Sequence, residues 1–205
     1  MLETSVAGLD LSCCILNASG PKCGHISDLE NIAKSRAGGI VSKSATLKSQ
    51  SGNPLPRLRK LPNDGSINSE GLPNSGIDYY TNATKVCDPL AKYSKPYIVS
   101  ISGLSLDDNL EMLKRISTAK AAGAAISAVE LNLACPNIIG KPVVAYDFDQ
   151  MQDVLSQVLA QPEFKSSGLP LGIKLAPYLD MTQFERCADI INRLTDRIKF
   201  VVTMN

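Results

Sequence analysis

A chain of 205 residues is long enough for one domain with a large core but short for a complete eight-stranded α/β barrel, which typically needs about 250. Twenty-one Lys and Arg against 20 Asp and Glu leave a net charge of +1. No charged field therefore favours nucleic acid or an acidic membrane surface. The six cysteines (Cys13, Cys14, Cys23, Cys87, Cys135 and Cys187) contain no CxxC pair and accompany a single His, which argues against a zinc site and a disulfide framework. Reduced thiols in a cytoplasmic protein are expected.

The start, MLETSVAGLDLSCCILNASG, lacks a basic stretch followed by an apolar run, and nowhere do about 18 apolar residues follow one another. Neither a signal peptide nor a membrane span is predicted. The first strand is expected in CCILN, 13–17. Ser27 with Glu30 three positions later has the spacing of a capping box for the first helix, and His25 just before it suits a capping or surface role better than catalysis. Gly38 and Gly39 read as a tight helix-to-strand turn, followed by a second strand in GGIVSK, 38–43.

Residues 44–95 break the rhythm with a Gly-, Pro-, Asn- and Ser-rich insertion, and so long a connection is usually functional. Further strands are expected in YIVSIS (97–102), VELNL (129–133), LGIKL (171–175) and IKFVVT (198–203), whose near-continuous apolarity suits a buried parallel sheet. Between them, Leu106, Leu110, Leu113, Ile116 and Ala119 form one helical stripe, and Phe148, Met151, Leu155, Val158 and Leu159 another. Ser105 (with Asp108), Asp147 and Asp180 stand where caps belong. Strand, helix, strand repeated in this way means right-handed crossovers, either closed as a barrel or open and doubly wound. No seventh or eighth strand follows Asn205, so a partial barrel over 1–205 is expected.

The most informative segment is ELNLACPNIIGKPVVAYDF, 130–148, where a strand ends in Asn132 and a Cys–Pro–Asn turn opens a loop. Groups at a strand's carboxyl end face the mouth of a barrel. Cys135 reads either as a nucleophile or base, or as a small apolar side chain. Lys43 and Lys174 each end an apolar strand, where a cation is costly unless it meets an anion or snorkels to solvent. The amides of Asn17, Asn68, Asn132, Asn137 and Asn205 are suited to a planar heterocycle or, equally, to turns. No GxGxxG or phosphate-loop lysine motif is present.

Taken together, NASGPKCG (17–24), SKSATLKSQSGNPLPR (42–57), SINSEGLPN (66–74), ELNLACPN (130–137), GKPVVAYDF (140–148) and GIKLAPY (172–178) resemble class 1A dihydroorotate dehydrogenases. The resemblance implies a (β/α)8 TIM barrel, of which about strands one to six are present. It also implies FMN as cofactor, a soluble homodimer, oxidation of dihydroorotate to orotate in pyrimidine biosynthesis, and fumarate as the electron acceptor. Cys135 is then the base that removes the C5 proton, on a loop that closes as a lid over the substrate. Lys43, Asn68, Asn132, Asn137 and Asn205, with the backbone near Gly71 and Leu72, hold the substrate. Ala18, Ser19, Gly20, Lys43, Ser44, Ser100, Asn132 and Lys174 line the flavin. Two departures stand out: Glu70 replaces an apolar residue of several relatives, and the Gly-rich phosphate site after Asn205 is absent. The competing readings are another FMN barrel acting on reduced pyrimidines, such as the dihydropyrimidine dehydrogenase domain, and a degenerate ligand-binding fragment without catalysis.

Overall fold

The computed structural model describes residues 2–134, 143–194 and 196–203. The chain opens with an antiparallel hairpin, β1 (Thr4–Val6) and β2 (Leu9–Leu11), joined by Ala7 and Gly8 at φ 54° and 77°. Left-handed backbone at both central positions matches the twist of a two-residue hairpin. Helix α1 (Ile26–Lys34) and the short β3 (Ile40–Val41) follow. The insertion carries a second hairpin, β4 (Leu58–Lys60) with β5 (Ser66–Asn68), then the short helices α2 (Ile77–Tyr80) and α3 (Asp88–Ala91). Strand β6 (Tyr97–Ile101), helix α4 (Leu106–Ala121), strand β7 (Ala128–Asn132), helices α5 (Phe148–Ala160) and α6 (Pro162–Ser166), strand β8 (Leu171–Lys174), helix α7 (Met181–Arg193) and strand β9 (Ile198–Val202) complete it.

The parallel sheet has the order β3-β6-β7-β8-β9, each strand beside the next in sequence. Every residue of β6, β7 and β8 is buried, which is why these strands read as unbroken apolar runs rather than as alternations. The two faces nevertheless differ. Ile40, Tyr97, Val99, Val129 and Leu131 point into the main core, with Met112, Leu113 and Ile116 of α4 and Met151, Leu155 and Val158 of α5. The alternate positions Val41, Ile98 and Ala128 form a smaller cluster, on which Leu9 of β2 and Phe200 of β9 pack. Continuing that alternation towards the carboxyl ends places Ser100, Glu130, Asn132, Gly172 and Lys174 on the second face.

The strand expected at 13–17 does not form, so among the described residues the parallel sheet has five strands rather than six. The segment runs alongside β3 without a ladder, tied instead by Gly38 N–H to the Ile15 carbonyl at 2.9 Å and by the Asn17 amide. That amide accepts from Val41 N–H at 2.9 Å and donates to the Val41 carbonyl at 2.7 Å. One side chain thus replaces the two backbone bonds a neighbouring strand would make, and apolarity alone could not distinguish the two arrangements.

Gly38 and Gly39 serve this approach. A Cβ on Gly38 would run into the Cys13 carbonyl, and one on Gly39 into Leu16. The cap of α1 also differs from expectation. The helix begins two residues before the position that Ser27 and Glu30 indicate, with His25 as its N-cap residue, whose N–H donates to the Asp28 carboxylate at 3.1 Å. The other caps form as expected, Ser105 accepting from Asp108 N–H at 3.1 Å, Asp147 from Gln150 N–H at 3.0 Å and Asp180 from Gln183 N–H at 2.9 Å.

Replacing Gly38 with Ala should cost roughly 1–3 kcal/mol through overpacking, lowering the melting temperature by several degrees. Gly24→Ala, whose added Cβ would meet nothing within 4 Å, should melt close to wild type. Differential scanning calorimetry of the two variants checks the contrast.

Candidate functional site

At the carboxyl ends of the parallel strands, on the second face of the sheet, lies a cavity of about 770 Å³. Its polar part is built by four segments. Residues 17–20 pass beside β3, Lys43 and Ser44 follow β3, Glu130 and Asn132 end β7, and Lys174 ends β8. Asn68, Glu70, Leu72 and Pro73 of the insertion form a rim, and Val41, Ile98 and Phe200 give an apolar side. Of the residues the sequence singles out, Ala18, Ser19, Gly20, Lys43, Ser44, Asn68, Leu72, Asn132 and Lys174 therefore share one cavity. Ser100 lies behind this lining, fully buried. Gly71 is buried beneath the rim, its carbonyl accepting from Gln50 at 2.6 Å. Cys135, Asn137 and Asn205 lie outside the described residues, as does most of the loop that Cys135 opens.

The floor is a closed ring of polar contacts. The Lys174 ammonium lies 3.0 Å from Glu130 Oε1 and donates to the Ser19 hydroxyl. Glu130 Oε1 accepts from Ser100 Oγ at 2.7 Å, Ser100 Oγ lies 2.9 Å from Ser44 Oγ, and Ser44 Oγ lies 3.2 Å from Ser19 Oγ. Both charged side chains are only about one-twentieth exposed, at 6% and 5%. An ion pair this deep carries a large desolvation cost, and deleting one partner alone leaves a bare buried charge at a cost of about 3–5 kcal/mol. The hydroxyl contacts around it satisfy part of the lost hydration.

Asn132 joins this ring to the loop. Its Nδ2 donates to Ser44 Oγ at 3.2 Å and its Oδ1 accepts from Ala134 N–H at 3.0 Å. The loop's two ends are pinned together by Ala145 N–H to the Leu133 carbonyl at 3.0 Å. Tyr178 donates to the Ala145 carbonyl and Tyr146 to the Pro177 carbonyl, both at 2.9 Å, so the AYDF and LAPY segments clasp each other. The described flanks of the loop, Leu133 and Ala145, are thereby held together at the carboxyl ends of β7 and β8.

Two residues of the site escaped the sequence reading. Glu130 is the charge inside the apolar run VELNL, and its meaning comes from the register that sets its strand beside the lysine-bearing β8, which the sequence does not show. Asn74 frames the rim. Its Oδ1 accepts from Thr46 N–H at 3.0 Å and Gly76 N–H at 2.8 Å, and its Nδ2 donates to Thr46 Oγ1 and to the Leu72 carbonyl, both at 2.9 Å. This holds Leu72 at φ 57°, a conformation costing roughly 1–2 kcal/mol for a residue with a Cβ. Glu70 is paired with Arg57 at 2.8 Å, so the departure noted there brings its own counter-charge.

A largely apolar cavity with charged and amide groups gathered at the carboxyl edge of a parallel α/β sheet stands where α/β barrels bind small molecules. The whole of 1–205 matches the dihydroorotate dehydrogenase family, and the chain belongs to it. Dihydroorotate dehydrogenase A (fumarate) of Lactococcus lactis is 41% identical over 193 residues, covering 94% of this chain and 59% of the relative. The dihydroorotate dehydrogenase (fumarate) of Trypanosoma cruzi is 43% identical over 192 residues, covering 93% and 57%. The chain thus spans somewhat under two thirds of the length of these relatives. In fold it resembles the ligand-free dihydroorotate dehydrogenase of Eimeria tenella, with a TM-score of 0.76 at 20% identity over 100% of this chain and 61% of that one. The architecture is that of a TIM barrel, and the doubly wound alternative falls away.

Burial raises the Cys23 thiol to about 12 and the Cys87 thiol to about 11, outweighing the pull of Lys43 and Lys174 on Cys23. Cys23 Sγ is turned to the Gly20 carbonyl at 3.1 Å, where it shapes the residue 18–20 turn. Alkylation with iodoacetamide at pH 8, read by peptide mass spectrometry, should modify exposed Cys14 readily and leave buried Cys23 and Cys87 intact until the protein is unfolded. A thiol with pKa about 12 is ionised at roughly one part in ten thousand at that pH.

Proposed function

We propose that the protein oxidises dihydroorotate to orotate in pyrimidine biosynthesis, with FMN as its flavin and fumarate as the terminal electron acceptor. The observation that carries this reading is the cavity in which Lys43, Ser44, Asn132 and Lys174 meet at the strand ends of a chain of this family. The fumarate-dependent relatives support the choice of acceptor. Residues 1–205 make up the part of the barrel that bears the substrate pocket. The working protein is a cytoplasmic homodimer, and among the described residues no helix is long and apolar enough to cross a membrane.

The residues present fit a flavin. At about 770 Å³ the cavity lies within the 300–1,000 Å³ typical of cofactor sites. Ala18, Ser19 and Gly20 are small enough for a flat ring to approach the backbone. Lys174 and Ser44 would lie along the flavin, and Lys43 between it and the substrate. A flavin held there supplies the acceptor for the hydride leaving C6 of the substrate.

The chain's own groups do the rest. The Cys135 thiolate takes the C5 proton, and the C5–C6 double bond forms as that bonding pair moves in. A free thiol near pKa ~8.5 is only a few per cent ionised at neutral pH, so the base must be held against the substrate to be effective. Asn132, which already fixes the entry of the Cys135 loop, orients the substrate together with Asn68, Asn137 and Asn205, and the backbone near Gly71 and Leu72 assists. The ammonium of Lys174, itself nearly buried, stabilises negative charge developing beside it.

Stopped-flow measurement of dihydroorotate-driven flavin bleaching tests this. Cys135→Ser should bind dihydroorotate about as tightly as wild type yet bleach on the order of a hundredfold more slowly or worse. An unchanged bleaching rate would remove Cys135 from its role. Bleaching by dihydrouracil in preference to dihydroorotate would replace the substrate.

A further inference from the structure

We infer that Glu130 is a positioning residue that sets the electrostatic effect of Lys174 on the bound flavin, and hence the flavin's reduction potential. The inference rests on the flavin reading and adds to it a second, opposite charge. Glu130 Oε1 stands 3.0 Å from the Lys174 ammonium, and both belong to the lined cavity. Their strands are adjacent and parallel, with Glu130 opposite Gly172 and Asn132 opposite Lys174, so the backbone register holds the two side chains on the same face.

Ser100, opposite Glu130 on the other neighbouring strand, donates to the same carboxylate oxygen at 2.7 Å. The carboxylate is therefore fixed from both sides. A lysine alone in this cavity would present a full positive charge to any ring above it. With a carboxylate at contact distance the pair is neutral overall, and at a distance larger than the pair's own separation its field falls towards that of a dipole. Low dielectric around two nearly buried side chains keeps this compensation from being screened away.

A reduced flavin carries more negative charge than an oxidised one. A neighbouring cation therefore favours the reduced form, and a neighbouring anion opposes it. Removing the anion while keeping a hydrogen-bond acceptor for the ammonium should strengthen the cation's hold on the reduced form and raise the potential.

The test is the midpoint potential of the bound flavin, measured by reductive titration against an equilibrating dye, for wild type, Glu130→Gln and Glu130→Asp. Protein is prepared as this chain and as any longer reading frame containing it. Glu130→Gln should shift the redox equilibrium at least about tenfold towards the reduced form, equivalent to about +30 mV for a two-electron couple. Glu130→Asp keeps the charge one methylene further back and should fall between wild type and the Gln variant. If the Gln variant does not fold, the Asp variant carries the test with the same sign. A merely structural role would lower the melting temperature and leave the potential where it was. A wild type that holds flavin, with an unchanged or lowered potential in the folded variants, would overturn the role of Glu130 alone. A wild type that takes up no flavin in any form would overturn the flavin reading and this inference with it.

Discussion

The buried pair between Lys174 and Glu130 is the constraint on which the site depends. Neither charge is tolerable alone at this depth, so each fixes the other, and the serine hydroxyls close around them. The ring unites parts of the chain that are far apart in sequence, from Ser19 to Lys174. It can form only if β6, β7 and β8 are in register and the 17–20 segment lies against β3. Fold and site are thus coupled at one place: the sheet aligns the charges, and the charges specify which side chains must face the cavity.

The same alternation explains why a single sheet serves as both core and site. On β7, Val129 and Leu131 enter the main core, while Ala128, Glu130 and Asn132 face the other way. Along that second face the side chains change from apolar to polar towards the carboxyl ends, so one end of the sheet is sealed by Ile98, Ala128 and Phe200 and the other is left to bind. The insertion, held by the amide of Asn74 and the Arg57–Glu70 pair, adds a rim that the sheet could not provide.

Five of the strands and the long helices were legible because their apolar runs and stripes report burial directly, and the caps at Ser105, Asp147 and Asp180 because their chemistry is local. The expected strand at 13–17 was misread because its partner contact is made by the Asn17 side chain, and periodicity does not register a side chain acting as backbone. The hairpins β1–β2 and β4–β5 were too short to carry a pattern. In the site, Lys43, Asn132 and Lys174 declared themselves as polar residues ending apolar strands. Glu130 did not, because one carboxylate in a run acquires meaning only when the register places a cation beside it.

The visible absorbance of the purified protein before and after anaerobic addition of dihydroorotate decides whether this cavity is the flavin and substrate site of a dihydroorotate-oxidising enzyme. If it is, a bound flavin spectrum bleaches on addition and returns with fumarate. A bound flavin indifferent to dihydroorotate, or a protein that binds orotate while holding no flavin, would contradict it.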